Sequence, residues 1–325
     1  MRYKRVVSCM LALTGMGLLI LNGPIAVAGA QAGLELCLKA VIPSLFPFFF
    51  FSNILVLSLF GYDNAFLNGV GRLFSLPIGA SSLLVPAFLG GYPAGAQTVA
   101  DLYKRNLLEK EEAERLLAFT NNAGPSFIFG MVAPAFTDYK AAWVIWFSQI
   151  LGALIVSVLF HPRKTCYAKT NASQITISEA MSSAVTAIAK VCGWVILFRI
   201  FISFLNCSVL QNRSPALKVL SIGLLELSNG CALLREVPNE SIRLILANTM
   251  VSWGGVCVTL QTKSVVNNLS LRKYYAGKAV QMAAGIFLSV SIVSGKSVFI
   301  ISIVLLFMFF ALFQKRSSIS GRVGV

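Results

Sequence analysis

Residues 76–103 read LPIGASSLLVPAFLGGYPAGAQTVADLY. The stretch is apolar enough to enter a bilayer, yet it carries Pro77, Gly79, Pro86, Gly90, Gly91, Pro93 and Gly95. A spanning helix needs about 20 residues of continuous backbone hydrogen bonding. Prolines and glycines at this density interrupt it. Irregular backbone at membrane depth survives only where protein buries it or water reaches it. The stretch therefore predicts a re-entrant helical hairpin, leaving on the side it entered, inside a bundle large enough to cover it.

The rest of the chain supplies that bundle. Apolar residues make up 57% of the 325 and charged residues 12%, with a mean hydropathy of +0.78. A soluble domain carries about twice that charge, so the fold class is an all-α polytopic membrane protein. The net charge of +15 lies in loops between apolar blocks rather than on one basic face. It reads as a topology signal and as contacts to anionic membrane lipids, with no nucleic acid as partner. Seven cysteines, at 9, 37, 166, 192, 207, 231 and 257, form no Cys-x-x-Cys pair and read as small apolar residues. The only histidine, His161, opens a basic loop and reads as a solvated residue. No cofactor and no metal are expected.

N-terminal to the hairpin, a basic start leads into an apolar run from Val6 to Ala30. With the Ala26-Val27-Ala28 triplet it reads either as a cleaved leader or as a retained helix, and its length favours the helix. A second span follows over 36–60, broken by Pro43 and Pro47, then a polar stretch around Asp63, Asn64, Gly69 and Arg72. C-terminal to the hairpin, the charged stretch Lys104 to Arg115 is expected in water. The span 116–136 has Asn121, Asn122, Gly124 and Pro125 at its middle, and 141–160 is a cleaner span.

A basic linker then divides the chain, and the same order recurs. The interrupted span 180–210 carries Lys190 and Arg199, the short segment 219–234 carries Glu226, Ser228, Asn229 and Gly230, and the span 242–260 has Asn248, Thr249, Trp253, Gly254 and Gly255 at its middle. Clean spans follow at 279–293 and 298–313. Set side by side, Phe88 to Gly95 falls against Leu224 to Gly230, Arg115-Leu116-Leu117 against Arg243-Leu244-Ile245, and Gly152 against Gly285. The shared order is the stronger sign of a repeat. The organisation expected is an N-terminal transmembrane helix (1–30), a first repeat (31–161), a cytoplasmic basic linker (162–178), a second repeat (179–294), and a C-terminal helix with basic tail (295–325).

Topology tests this arrangement. With both termini cytoplasmic and residues 76–103 re-entrant, eight spans and two hairpins place 18 of the 27 Lys and Arg inside and seven outside; Lys190 and Arg199 lie in a span. The inside set includes Arg115 and Lys278. The excess agrees with the positive-inside rule, and the second repeat comes out inverted relative to the first. A fully crossing 76–103 would put the basic loop 161–169 outside.

Inverted repeats with broken helices place a solute site at mid-membrane, where the hairpin tips meet the polar-centred spans. The candidates are Gly91, Tyr92, Pro93, Gly95, Gln97, Asn121, Asn122, Gly124 and Pro125 from the first repeat. From the second they are Glu226, Ser228, Asn229, Gly230, Asn248, Thr249, Trp253 and Gly254. The glycines serve equally to let helices approach, and the Asn and Thr residues to bond neighbouring helices. Glu226 is the sharpest signal, because a carboxylate in an apolar hairpin is costly and therefore functional by default. Its alternative is an ion pair with Arg199 or Lys190. Enzyme signatures (His-Glu-x-x-His, Gly-x-Ser-x-Gly, a P-loop) are absent from the sequence, and no enzyme activity is expected.

Three stretches also carry a resemblance: Gly90 to Gln97, Ala113 to Asn122, and Gly124 to Gly130. Together with Leu225-Glu226-Leu227-Ser228-Asn229-Gly230-Cys231 they resemble the sporulation integral membrane protein YlbJ family, over about residues 30–310. That family falls in the wider nucleoside-recognition, or Gate, domain group. The resemblance implies an endospore-forming source, a role in spore cortex formation and a transport-like fold. The family pattern has Ser at the position of Gly90 and Lys near Gln97, so this hairpin lacks that cation. The leading expectation is a secondary permease in the cell membrane, moving a small polar or charged solute or ion, with a homo-oligomer left open. The alternative is a non-transporting membrane scaffold for cortex or coat assembly.

Overall fold

The computed structural model describes residues 2–59, 65–76, 80–161, 176–266 and 268–296, and among these every regular element is helical. Expectations for Pro77, Gly79, Asp63, Asn64, most of the basic linker, the span 298–313 and the tail lie outside the described residues.

The first helix, α1 (Arg2–Leu21), stops at Asn22, whose backbone leaves the helical region (φ −126°, ψ 42°). From there α2 (Gly23–Leu36) passes through a π-helical turn, Cys37–Val41, into α3 (Ile42–Leu59). The turn sits where Pro43 would clash with the carbonyl of Lys39, and a wider turn relieves that clash. The helix therefore runs unbroken across residues 30–31, where the sequence suggested a boundary.

After α4 (Ala65–Leu73) the breaker-rich stretch forms a 3₁₀ turn at Ser81–Leu83, a π turn at Pro86–Gly90, a break at Gly91–Pro93, and α5 (Ala94–Lys104). The expected span 116–136 is not one helix. It comprises α6 (Lys110–Thr120), a break at Asn121–Gly124, α7 (Pro125–Phe127) and its π and 3₁₀ continuation to Ala135.

Then come α8 (Lys140–Leu159) and α9 (Ile177–Ser208), the latter opened by a capping box between Thr176 and Glu179. The second short segment is α10 (Pro215–Leu225) and α11 (Leu227–Ala232), broken at Glu226. The chain closes with α12 (Glu240–Trp253), α13 (Gly255–Val266) and α14 (Arg272–Val293). Among the described residues five stretches are long and apolar enough to cross a bilayer: Gly23–Leu55, Lys140–Leu159, Ile177–Ser208, Glu240–Val266 and Arg272–Val293.

Small residues set the packing. Gly29 and Gly33, four apart on α2, lie against the backbone of Ile200 and Ile196 on α9; a Cβ on either would come within about 3 Å of it. This is the close approach that glycine pairs permit between membrane helices. On the other side, α6, α8, α12 and α14 pack together. There Gly277 abuts Ala118, Gly152 abuts Gln281, and Gly285 abuts Asn248 and Ser252.

Two expectations about charge are corrected here. Arg115 and Glu112, assigned to water, are buried at 3% and 5% exposure. They form a bidentate pair at 2.6 and 2.8 Å, and Arg115 also donates to the Ser75 carbonyl at 2.7 Å. The helix places them three residues apart on its inner face, so the pair forms within one turn. Lys278, counted with an inside loop, is buried in α14 at 1% exposure.

Candidate functional site

Four breaks in helical structure meet at one place. In the second hairpin, a Cβ on Gly230 would lie 2.2 Å from the Cα of Gly223. Residues seven apart in a continuous helix are separated by about 10 Å, so the chain folds back at Glu226. Glu226 lies four residues before Gly230, as Gly91 lies four before Gly95. Gly91 takes φ +76°, and Gly254 and Gly255 take +84° and +83°, a region that favours glycine.

Close approaches tie the breaks together. A Cβ on Gly124 would fall 2.8 Å from the nitrogen of Gly91, and one on Gly254 would fall 3.2 Å from the Tyr92 ring. One on Gly255 would fall 3.2–3.4 Å from backbone atoms of Gly223, Leu225 and Leu227.

Between these breaks lies a cavity of about 30 Å³ lined by Tyr92, Glu226, Ser228, Ala123, Phe127 and Gln261, with Leu45, Val191, Val195, Leu227 and Val258 closing it. That volume holds about two water molecules. Three of the lining residues, Tyr92, Glu226 and Ser228, were named from sequence.

The Glu226 carboxylate is 1% exposed. It accepts from the backbone N–H of Ser228 (3.1 Å) and of Asn229 (2.7 Å), and from the Asn229 side-chain amide (2.7 Å). It thereby caps α11. The ion-pair alternative takes an indirect form: Arg199 donates to the Asn229 side-chain oxygen at 3.0 Å, so Asn229 stands between the guanidinium and the carboxylate. Lys190 is exposed on α9.

Lys278 was not anticipated. Its Nζ donates to Tyr92 Oη at 3.0 Å and to Gln281 Oε1 at 2.7 Å, and lies 4.8 Å from the centre of the Tyr92 ring. Tyr92 in turn donates to the Val251 carbonyl at 2.9 Å. An amine on α14 thus reaches the break at Gly91–Pro93. The sequence signal was present, because a lysine six residues into an apolar helix is an intramembrane charge. Arg272 and Lys273 beside it made it read as loop.

The remaining candidates divide by what they touch. Asn121 donates to Thr262 (2.9 Å) and Asn122 to the carbonyls of Ala87 and Phe119 (3.2 and 2.7 Å), so both fasten the break after α6. Asn248 donates to the Gly285 carbonyl and Ser289 and accepts from Ser148, which binds α8, α12 and α14 together away from the cavity lining. Thr249 bonds its own helix at Ile245. Gly95 packs on the Thr120 carbonyl, and Pro125 opens α7. Gln97 reaches Ser183 on α9. Pro93 precedes α5, and Trp253 ends α12 half-buried. Among the described residues no cluster of ligating side chains fit for a metal ion occurs.

Long apolar helices packed through glycines, with buried charges enclosed among them, define a polytopic α-helical integral membrane protein. No family model matches the chain, and no solved structure matches it. It is 24% identical over 289 residues to the sporulation integral membrane protein YlbJ of Bacillus subtilis (strain 168), covering 75% of this chain and 71% of that protein. At that identity the chain resembles the YlbJ protein along most of its length.

Proposed function

We propose that this chain is a secondary permease for a small polar or charged solute, acting in sporulation and needed for spore cortex formation. The observation that carries the reading is the meeting of four helix breaks around one cavity that holds Glu226, with Lys278 hydrogen-bonded to Tyr92 in its wall. Broken helices end with unpaired N–H and C=O groups, which can replace the hydration of a solute at membrane depth. A scaffold has no need of a buried carboxylate and a buried amine at such a point, since each is costly in lipid surroundings.

In this reading the chain is of the nucleoside-recognition (Gate) type, with eight spans, two re-entrant hairpins in an inverted repeat, and cytoplasmic termini. It performs no covalent chemistry. The cavity as it stands is too small for an organic solute, and the path opens by rocking one repeat against the other. Sporulation enters from the name of the Bacillus subtilis relative.

The test compares metabolites of sporulating cells with and without the protein, followed by thermal-shift binding of the compounds that change. Accumulation of one compound on one side of the membrane, and its binding to wild type but not to Glu226→Gln, is the expected result. An unchanged metabolite profile alongside a full sporulation defect returns the scaffold reading.

A further inference from the structure

We propose that Lys278 is the proton-carrying residue of the transport cycle, its amine held by Gln281 and by Tyr92, which lines the cavity. The inference rests on the permease reading and adds the coupling ion and its carrier.

The hydrogen-bond count at Nζ is the main observation. Tyr92 commits its hydroxyl proton to the Val251 carbonyl, so its oxygen offers lone pairs to Lys278, and Gln281 offers Oε1. Two acceptors satisfy the two N–H groups of a neutral amine and leave its lone pair open. An ammonium group carries a third N–H and a charge. Among the described residues no carboxylate stands within ion-pair range of Lys278.

The charged groups of the packed helices are committed elsewhere. On α6, Glu112 pairs with Arg115, Glu111 with Lys273, and Glu114 accepts from the Ser270 N–H. On α12, Glu240 accepts from Thr137, and Arg243 donates to the carbonyls of Ala135 and Val237. The charge nearest the N-terminus of α8, Lys140, pairs with Asp138. Tyr274 lies one turn before Lys278 on α14, and Glu226 shares the cavity with Tyr92.

The closed site therefore suits the uncharged amine. When the repeats part, solute or water supplies the missing third acceptor, and Nζ takes a proton from that side. Closure removes that acceptor, and when the path opens to the opposite side the proton passes to water there and Nζ returns to its two acceptors. One proton crosses per cycle, and no bond other than N–H is made or broken.

Proteoliposomes holding the full chain and a pH-sensitive dye test this. The probe is a deproteinised low-molecular-mass extract of the sporulating cells, with uptake read by mass spectrometry of the lumen. Wild type should take up at least one compound with a lumenal pH change, at a rate that depends on pH between about 6 and 9. Lys278→Gln should lose the pH change at least about tenfold and flatten the pH profile of whatever uptake remains. Gln281→Glu keeps the size of the side chain and fixes the proton on Lys278 by pairing it, so it should do the same. It decides alone if Lys278→Gln fails to insert.

Wild-type uptake without a pH change overturns the proton role while leaving the permease. So does a variant whose residual uptake keeps the wild-type pH signal and profile. Absence of uptake of any compound by wild type sinks the permease reading, and the proton role with it.

Discussion

At the residue scale the protein separates two kinds of buried charge. Arg115 and Glu112 are paired directly and fastened to backbone, whereas Glu226 and Lys278 each meet only uncharged partners. Breaking the first kind leaves a lone charge inside the bundle, at a cost of about 3–5 kcal/mol. Glu112→Ala should therefore lower the melting temperature of the detergent-purified protein sharply, while the joint change Glu112→Leu with Arg115→Met should recover most of the loss. Glu226→Gln should behave otherwise. The amide keeps the size of the side chain but replaces one accepting oxygen by a donor facing an N–H group, so melting should fall by the equivalent of about 1–3 kcal/mol while folded protein persists and sporulation fails; normal sporulation with this variant would remove Glu226 from the site. His161 gives a pH prediction. Packing around the ring, and then the nearby Arg115 charge, hold its pKa below the usual 6.5. The ring is therefore uncharged at neutral pH and hydrogen-bonded with Ser75 at 3.0 Å. A group lowered in this way resists protonation in the fold, so acidification through and below pH 6.5 weakens that contact. A histidine resonance titrating at or above 6.5 would contradict it.

At the element scale, glycines decide where helices stop and how near they come. Gly95 and Gly230 sit equivalently in the two short segments, and each has backbone where its Cβ would be: the Thr120 oxygen at 1.8 Å and the Gly223 Cα at 2.2 Å. Neither neighbour can move without displacing a helix, so Gly95→Ala and Gly230→Ala should each reduce the yield of folded protein severalfold. Gly193→Ala, in the middle of α9 with nothing within 4 Å, should be neutral or gain up to about 1 kcal/mol. Fluorescence-detected size-exclusion of the three variants checks both halves of the statement. The breaks after α6 and α12 use different means for one end. Asn121 and Asn122 fasten the first by hydrogen bonds, and two consecutive positive-φ glycines form the second.

At the scale of the whole molecule the matter is how the two short segments meet the bilayer. Substituted cysteines at Leu76 and Arg105, and at Arg213 and Val237, in a background without native thiols, should react with an impermeant reagent in a set pattern. Both ends of each segment should label from one side, and the two segments from opposite sides. Ends of one segment that label from different sides would make it a crossing helix and undo the inverted arrangement. The same pattern bears on the path, because tips that enter from opposite faces close a cavity from both.

Composition and the spacing of breakers were enough to specify a membrane bundle, two interrupted short segments and the polar-centred stretches beside them, and to single out Tyr92, Glu226 and Ser228, which line one cavity. These are properties of the local chain: apolar length, missing N–H groups, and glycines where a turn is needed. Lys278 and Gln281 could not be placed that way, because their role depends on Tyr92, 186 residues distant, coming within hydrogen-bond reach. The burial of Arg115 and Glu112, the move of Asn248 from cavity lining to a joint between helices, and the unbroken helix through residue 30 were likewise settled by packing. Whether a charge is solvated, paired or held among neutral dipoles depends on what the rest of the fold brings beside it, and no local pattern records that.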